Sequence, residues 1–551
     1  MDQKLLQHGA KILLRSVSYI VYDKFLVSFE ALYMYIARLT LLCIIIGLVP
    51  AVGQKKVTLK QAGTLTGGVK NGERFERVIR DAEKEVIFVQ NNTTIYCDSA
   101  HFYRSKNSIE AFGHVRITES DSITITASRL EYDGNKKQAK LRNNVIFTKL
   151  ATATLYTDFL DYDRPSNQAY YFNGGRLVDS INVLVSWKGY YQVNSNLASF
   201  KKDVKVNNPD YSMAADSLQY NSKSKTIFFV SETTVVNKDS TSIVYKSGRY
   251  NTITRTSDLK EGLAKSLSYE LKGNSYDIDD TRKMYKVRGD VVMTYKDENL
   301  TIYGQAADYY RGKNIAKIYN HALVAKVTDD GDTLFMTADT LISIDNIDPS
   351  KKRLLAFNNV KIFKSDLQGI ADSLEYRSAD STIFFYKEPV LWTDENQMTA
   401  DSISILIKNN TISKIFLVAH AFVISKDTLL NFNQIKGRNM IADFSRGKLK
   451  NVNVRGNGES LYFAVDEKTN LLTGMNKIIC SNIIIRFREG KVNNLSFYVK
   501  PEANFIPPHE LQKEDTELEG FVWKEPLRPA KKYVVKANLS LAEPGRKRSG
   551  F

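Results

Sequence analysis

Proline is scarce in this chain, with 11 among 551 residues, so long stretches of backbone keep the N–H groups that a strand ladder needs. Cysteine is scarcer. Cys43, Cys97 and Cys480 are too few and too scattered for a disulfide framework or a structural zinc site. A Cys97–Cys480 bridge would require the two ends of the chain to meet, which an elongated repeat disfavours. The six histidines, His8, His101, His114, His321, His420 and His509, include no pair at metal-ligand spacing. The sequence has no P-loop and no dinucleotide-binding glycine pattern after a strand. Beyond Gln54 no apolar run is long enough to cross a bilayer as a helix, and no stretch shows a helical period.

What is present leans towards strands. Tyr (30) and Phe (27) are plentiful, and a 43% hydrophobic content over this length supports a large core. The net charge of +16 calls for anionic surroundings without naming them, since the Lys and Arg residues are spread along the chain. They concentrate only at Lys531-Lys532 and Arg546-Lys547-Arg548. Near the N-terminus, Arg38 precedes an apolar run from Leu39 to Val49, and Pro50-Ala51-Val52-Gly53 follows. That order predicts an export signal over residues 1–53, with translation starting at Met34; an uncleaved anchor is the alternative.

A repeat organises the rest. Met213-Ala214-Ala215-Asp216-Ser217-Leu218-Gln219-Tyr220 has relatives at Gly369–Tyr376, Met398–Ile405, Met336–Leu341 and Ile95–Phe102, and looser ones at Ile125–Tyr132, Thr157–Tyr162 and Ala307–Tyr310. The Asp slot falls at 98, 128 and 158, then, after a double step, at 216, and again at 308, 339, 372 and 401. Met213 and Ala215 share one parity, Leu218 and Tyr220 the other. A flat strand would send the two sets to opposite faces, so both can enter one core only if the chain bends or bulges at Asp-Ser. Short polar side chains suit such a corner because they satisfy freed backbone groups. A second alternating strand follows each copy, as in Gly113-His114-Val115-Arg116-Ile117, Asn143-Asn144-Val145-Ile146-Phe147, Gly289-Asp290-Val291-Val292-Met293 and Asn359-Val360-Lys361-Ile362. The pattern predicts an all-β, extended jelly roll of repeats of about 30 residues. At roughly 10 residues per strand, residues 86–501 would give about 40 strands and a body on the order of 100 Å long.

Ala-Asp-Ser-Leu-x-Tyr followed by Gly/Asn-x-Val-x-Ile resembles the repeat of the OstA-like family, the β-jelly-roll superfamily of the lipopolysaccharide-transport proteins LptA, LptC and the periplasmic part of LptD. The likeness runs from about Val86 to about Pro501. It implies lipopolysaccharide as ligand through its lipid A acyl chains, and other transport jelly rolls as partners through edge-strand pairing. It further implies a periplasmic location, with no nucleic acid, no cofactor, no metal and no catalysis. Two features differ from the family pattern. The repeats run to several jelly-roll lengths, read as modules at 54–210, 211–325 and 326–505 with a capping or partly disordered extension at 506–551. No large barrel segment follows them, which points to a periplasmic bridge.

The trough of such a fold would be lined by Leu130, Tyr132, Val145, Leu160, Tyr162, Leu218, Tyr220, Phe228, Leu341, Val360, Leu374 and Tyr376. Taken singly, each is better read as packed core; the trough reading belongs to the set. The acidic clusters Asp277-Ile278-Asp279-Asp280 and Asp329-Asp330-Gly331-Asp332 fit no EF-hand, and the second reads as a hairpin turn. A recurring Asp suits a structural corner better than a unique catalytic pair. An exported polysaccharide-active solenoid and a β-repeat adhesin or scaffold remain the rival readings.

Overall fold

A computed structural model describes residues 56–539, apart from 120–122, 150–152, 180, 239, 266–268, 297–298, 410, 446–447, 467 and 489–490. The expected export signal and the last basic run lie outside the described residues. Among them, 37 strands join into one continuous sheet, and successive chain passes pair antiparallel. The sheet is folded along its length into two walls that face each other across an apolar interior. This is the all-β, extended jelly-roll architecture that the repeat predicts.

The fold line explains the parity break. In the strand Tyr211–Asn221, Met213 is buried on one side of Asp216, and Leu218 and Tyr220 on the other. Its neighbour Leu197–Asn207 pairs Lys201 with Ser217 and Val204 with Ala215, so Asp216 faces two residues, Lys202 and Asp203. Both of these have left-handed φ. One residue opposite two is a β-bulge, and repeating it in most passes turns a flat sheet into two walls, although Lys246, Glu261 and Asn274 meet one to one.

Single and paired corner residues alternate along the chain. Ser128, Asp158, Asp339 and Asp372 are single corners. Gly113-His114, Asn143-Asn144, Asn320-His321 and Asn358-Asn359 are left-handed pairs. Gly, Asn and His tolerate that conformation better than most residues, so these pairs carry a sequence signal of their own. At Gly113 the requirement is strict, because a Cβ there would run into the Asp98 carboxylate.

Two corners differ from the expected register. The double step between 158 and 216 contains a corner at Trp187, whose N–H donates to Lys202 O at 3.0 Å while its carbonyl accepts from Gly174 N at 2.7 Å. The expected Asp308 is not a corner: Arg288 pairs with Ala306 and Val291 with Gly304, which places Gln305 opposite the bulge. Asp308 instead binds Arg288 Nη2 at 2.6 Å. The repeat thus continues through positions where Asp is absent, including Asn274, Arg438 and Ser481, with its step lengthening towards the C-terminal end. Because long strands such as Lys448–Val465 cross the fold and serve both walls, there are fewer passes than strands. Roughly 25 passes at ~4.8 Å give a body on the order of 120 Å.

At one lip the hairpin turns stack. Gly134 N donates to Asn107 O, Arg164 N to Lys137 O, Val193 N to Asn167 O, Ser222 N to Asn196 O and Thr252 N to Lys225 O. Asp or Asn opens many of these turns; Asp133 Oδ1 accepts from Asn135 N and Lys136 N, both at 3.0 Å. The Asp329–Asp332 cluster is a hairpin turn at the other lip, closed by Thr328 N on Asp332 O at 2.9 Å. Cys97 and Cys480 are free and buried, and burial pushes the Cys97 thiol up to about 12.

Candidate functional site

The interior between the walls is the candidate site. Its buried side chains form one cluster from Val57 to Val291 and a second from Ile302 to Ile485. Leu130, Tyr132, Val145, Leu160, Tyr162, Leu218 and Tyr220 lie in the first cluster, and Leu341, Val360 and Leu374 in the second. Tyr376 is half-buried and pairs with Leu354 and Ile383, which pack on the second cluster. Phe228 lies on the outward parity between buried Ile227 and Phe229, opposite Gln219 and Arg249.

The mouth of the first half is bridged from lip to lip by its own side chains. Tyr132 OH donates to Gln90 Oε1 at 2.6 Å, and Gln90 Nε2 donates to Gly134 O at 2.8 Å. One pass on, Glu119 accepts from Tyr162 OH at 2.9 Å and Arg164 Nε at 2.5 Å. Lys149 Nζ then reaches Val193 O and Asn196 Oδ1, both at 2.8 Å. Asp179 accepts from the Tyr220 hydroxyl and, at 2.9–3.0 Å, from Lys225 Nζ. Arg255 Nη2 meets Asp210 at 3.4 Å. These bridges recur at the repeat spacing. Burial pushes the Tyr132 and Tyr171 hydroxyls up to about 12, and raises those of Tyr162 and Tyr220 further.

The second half is covered differently. After the strand Glu502–Ile506 the chain turns back and runs along the mouth of the groove in reverse. Three buried glutamines, Gln434 (0% exposed), Gln397 (1%) and Gln368 (3%), hold it. Gln434 donates to Thr516 O and accepts from Leu518 N, both at 2.8 Å. Gln397 donates to Val522 O at 2.7 Å and accepts from Lys524 N at 2.6 Å. Gln368 Oε1 accepts from Arg528 Nε at 2.7 Å. Each of the first two side-chain amides thus reads a peptide as a neighbouring strand would. Leu518 is buried with Phe422, Ile424, Leu461, Phe463 and Met475, and Phe521 and Trp523 pack on Phe432. The helix Lys531–Leu539 then lies against the strands Ile315–Val327, Thr333–Ile344 and Arg353–Lys364. Beneath this cover sits Trp392, fully buried, with an indole N–H that has no partner.

Sequence reasoning missed both covers. The Tyr-to-acid bridges join residues more than 40 apart and match no local motif. The three glutamines recur at 368, 397 and 434, near the repeat period, which is the one signal that could have marked them. On the outer face an open concavity of about 710 Å³ is lined by Ile146, Tyr156, Arg176, Trp187 and Lys205, on the far side of the wall from the core. Among the described residues no three His, Cys, Asp or Glu side chains converge as metal ligands would.

Fold and interior together define a protein of the extended β-jelly-roll class. Residues 54–216 match the family model of the OstA-like proteins, the resemblance that the repeat carries. Among solved structures, LptH from Pseudomonas aeruginosa, described as the LptA-homologous periplasmic component of the lipopolysaccharide transport device, is similar at 16% identity. That match covers 21% of this chain and 79% of LptH, with a TM-score of 0.19. A search of the curated proteins finds no match.

Proposed function

We propose that the protein binds an amphipathic lipid in the interior of its folded sheet and conveys it across the periplasm as a bridge, with lipopolysaccharide as the cargo. The observation that carries this reading is the apolar interior, which follows the sheet from Val57 to Ile485 behind an OstA-like first segment. Acyl chains lying there would gain about 0.8 kcal/mol per buried methylene, enough to hold several chains without covalent chemistry. Charged sugar and phosphate groups would stay outside, near the scattered Lys and Arg side chains. Because the interior is filled by side chains, loading requires the lips to part. The reading needs no catalytic step and no cofactor.

The last strands support a partner. Lys491–Tyr498 pairs with Leu472–Arg488, and Val492, Leu495, Tyr498 and Phe505 stand exposed. An end strand of this kind suits addition of another jelly roll by edge pairing.

Photocrosslinking probes at Tyr220 and Tyr376 test the reading in cells. Lipopolysaccharide adducts are expected at both, and newly made lipopolysaccharide should accumulate at the inner membrane when the protein is depleted. Crosslinks to protein alone, with normal surface delivery after depletion, would sink it in favour of an adhesin, a scaffold or a polysaccharide enzyme.

A further inference from the structure

The groove under the C-terminal segment contains a donor with nothing to bind. Trp392 lies directly between Gln368 and Gln397 in register, on the same inward face. The two glutamines are satisfied by the segment that covers them, whereas the Trp392 N–H is not. A buried N–H without an acceptor is unfavourable, so the indole is a donor suited to a carbonyl oxygen. Beyond Gln397 the same segment sets Leu518, Phe521 and Trp523 into an apolar patch with Phe422, Ile424, Phe432 and Leu461. Unlike the lip bridges of the first half, this cover is a separate stretch of chain that can leave without dismantling a strand.

We infer that residues 507–535 are a displaceable occupant of an acyl-binding site, and that Trp392, with Gln368 and Gln397, receives the ester or amide carbonyl of the acyl chain that replaces them. This rests on the lipid-carrier reading above and names where in the second half the lipid enters. Leu518, Phe521 and Trp523 hold the place of acyl chains, and the glutamine amides pass from peptide groups to the linkage region of the lipid.

The full chain is incubated with lipopolysaccharide micelles while hydrogen exchange is followed at the Leu518 and Lys524 amides, which donate to Gln434 and Gln397. Both amides are expected to lose protection as lipid binds. In a second form, Lys436→Cys and Glu519→Cys, whose native side chains meet at 3.4 Å, are joined by a short bismaleimide to tether the segment. Tethering is expected to abolish lipid uptake by the second half, and Trp392→Phe to weaken it about fivefold through loss of the donor. If lipid binds with both amides still protected, or binds the tethered chain equally well, the inference fails while the carrier reading stands on the first half. Equal binding by Trp392→Phe overturns the role of the indole. If neither the native chain nor the loosened Gln434→Ala form binds lipid, the inference and the carrier reading fall together.

Discussion

The two halves of the groove are built from different side chains, and that difference decides how each is closed. The first half buries Tyr103, Tyr132, Tyr162, Tyr171, Tyr220, Tyr245, Tyr250 and Tyr276, whereas among the described residues no tyrosine after Tyr276 is buried. Its place is taken by Ile, Leu and Met with Phe385, Trp392, Phe422 and Phe463. A tyrosine puts its ring in the core and its hydroxyl at the rim, so Tyr132, Tyr162 and Tyr220 both fill and bridge the first half. The second half has no such handle on its core side chains and draws its cover from the end of the chain. A lid made of core residues opens only by loosening the core. A lid made of a separate segment does not have that constraint.

Alkali should separate the halves most sharply. Burial raises the hydroxyls of Tyr132 and Tyr171 from 10.0 to about 12, and drives those of Tyr245 and Tyr276 higher. Because the folded values lie above the unfolded one, the stabilisation is complete below pH 10 and is lost as pH rises through about 12. The first half is expected to unfold across that window while the second keeps its protected amides, as read by hydrogen exchange. Simultaneous loss of both would break the comparison. Asp179→Ala comes next. It strands Lys225 and the Tyr220 hydroxyl at a closed mouth and should cost the first half about 3 kcal/mol, read from urea unfolding with the second half unmoved. Gln397→Ala should do the converse. It unpairs Val522 O and Lys524 N and should loosen only the second half, by about 2 kcal/mol.

The fold was legible because parity is a local property. Met213, Ala215, Leu218 and Tyr220 state the bend without help from any distant residue. The register was less legible, because the corner depends on backbone geometry rather than on Asp itself. Trp187 and Gln305 occupy corners, and Asp308, which looks like one, does not. The trough residues could be chosen by parity, which is why Leu130, Leu160 and Leu218 face inward. Phe228 shows the limit of that choice: beside the break between Thr226–Phe229 and Thr233–Asn237, the phase of a four-residue strand is set by its neighbours. The covers were illegible for another reason. The pairs Gln397–Lys524 and Gln434–Leu518 join residues 127 and 84 apart, and glutamine alone announces no chemistry.

The smallest effect concerns corners from the two halves. At Asp98, burial would raise the carboxyl, but hydrogen bonds from His114 Nδ1 (2.7 Å) and Arg80 Nη1 (2.9 Å) outweigh it and hold the group below its ordinary value of 3.8. A depressed folded value means that the stabilisation is present above the unfolded value and is lost as pH falls through the folded one. Asp98→Asn should therefore cost about 0.5–1 kcal/mol at neutral pH, discounted for partial exposure, and the gap to the native chain should close as pH falls through the depressed folded value. Asp401 occupies the matching corner of the second half, where His420 Nδ1 at 3.0 Å supplies the bond and both side chains are largely exposed. Asp401→Asn should cost less than Asp98→Asn, because solvent screens an open pair and the corner's backbone geometry, through Asp401 N on Ala419 O at 3.0 Å, survives the change. Equal losses at the two sites, measured in paired urea titrations, would mean that the corner carboxylate acts through the bulge itself rather than through its charged partners.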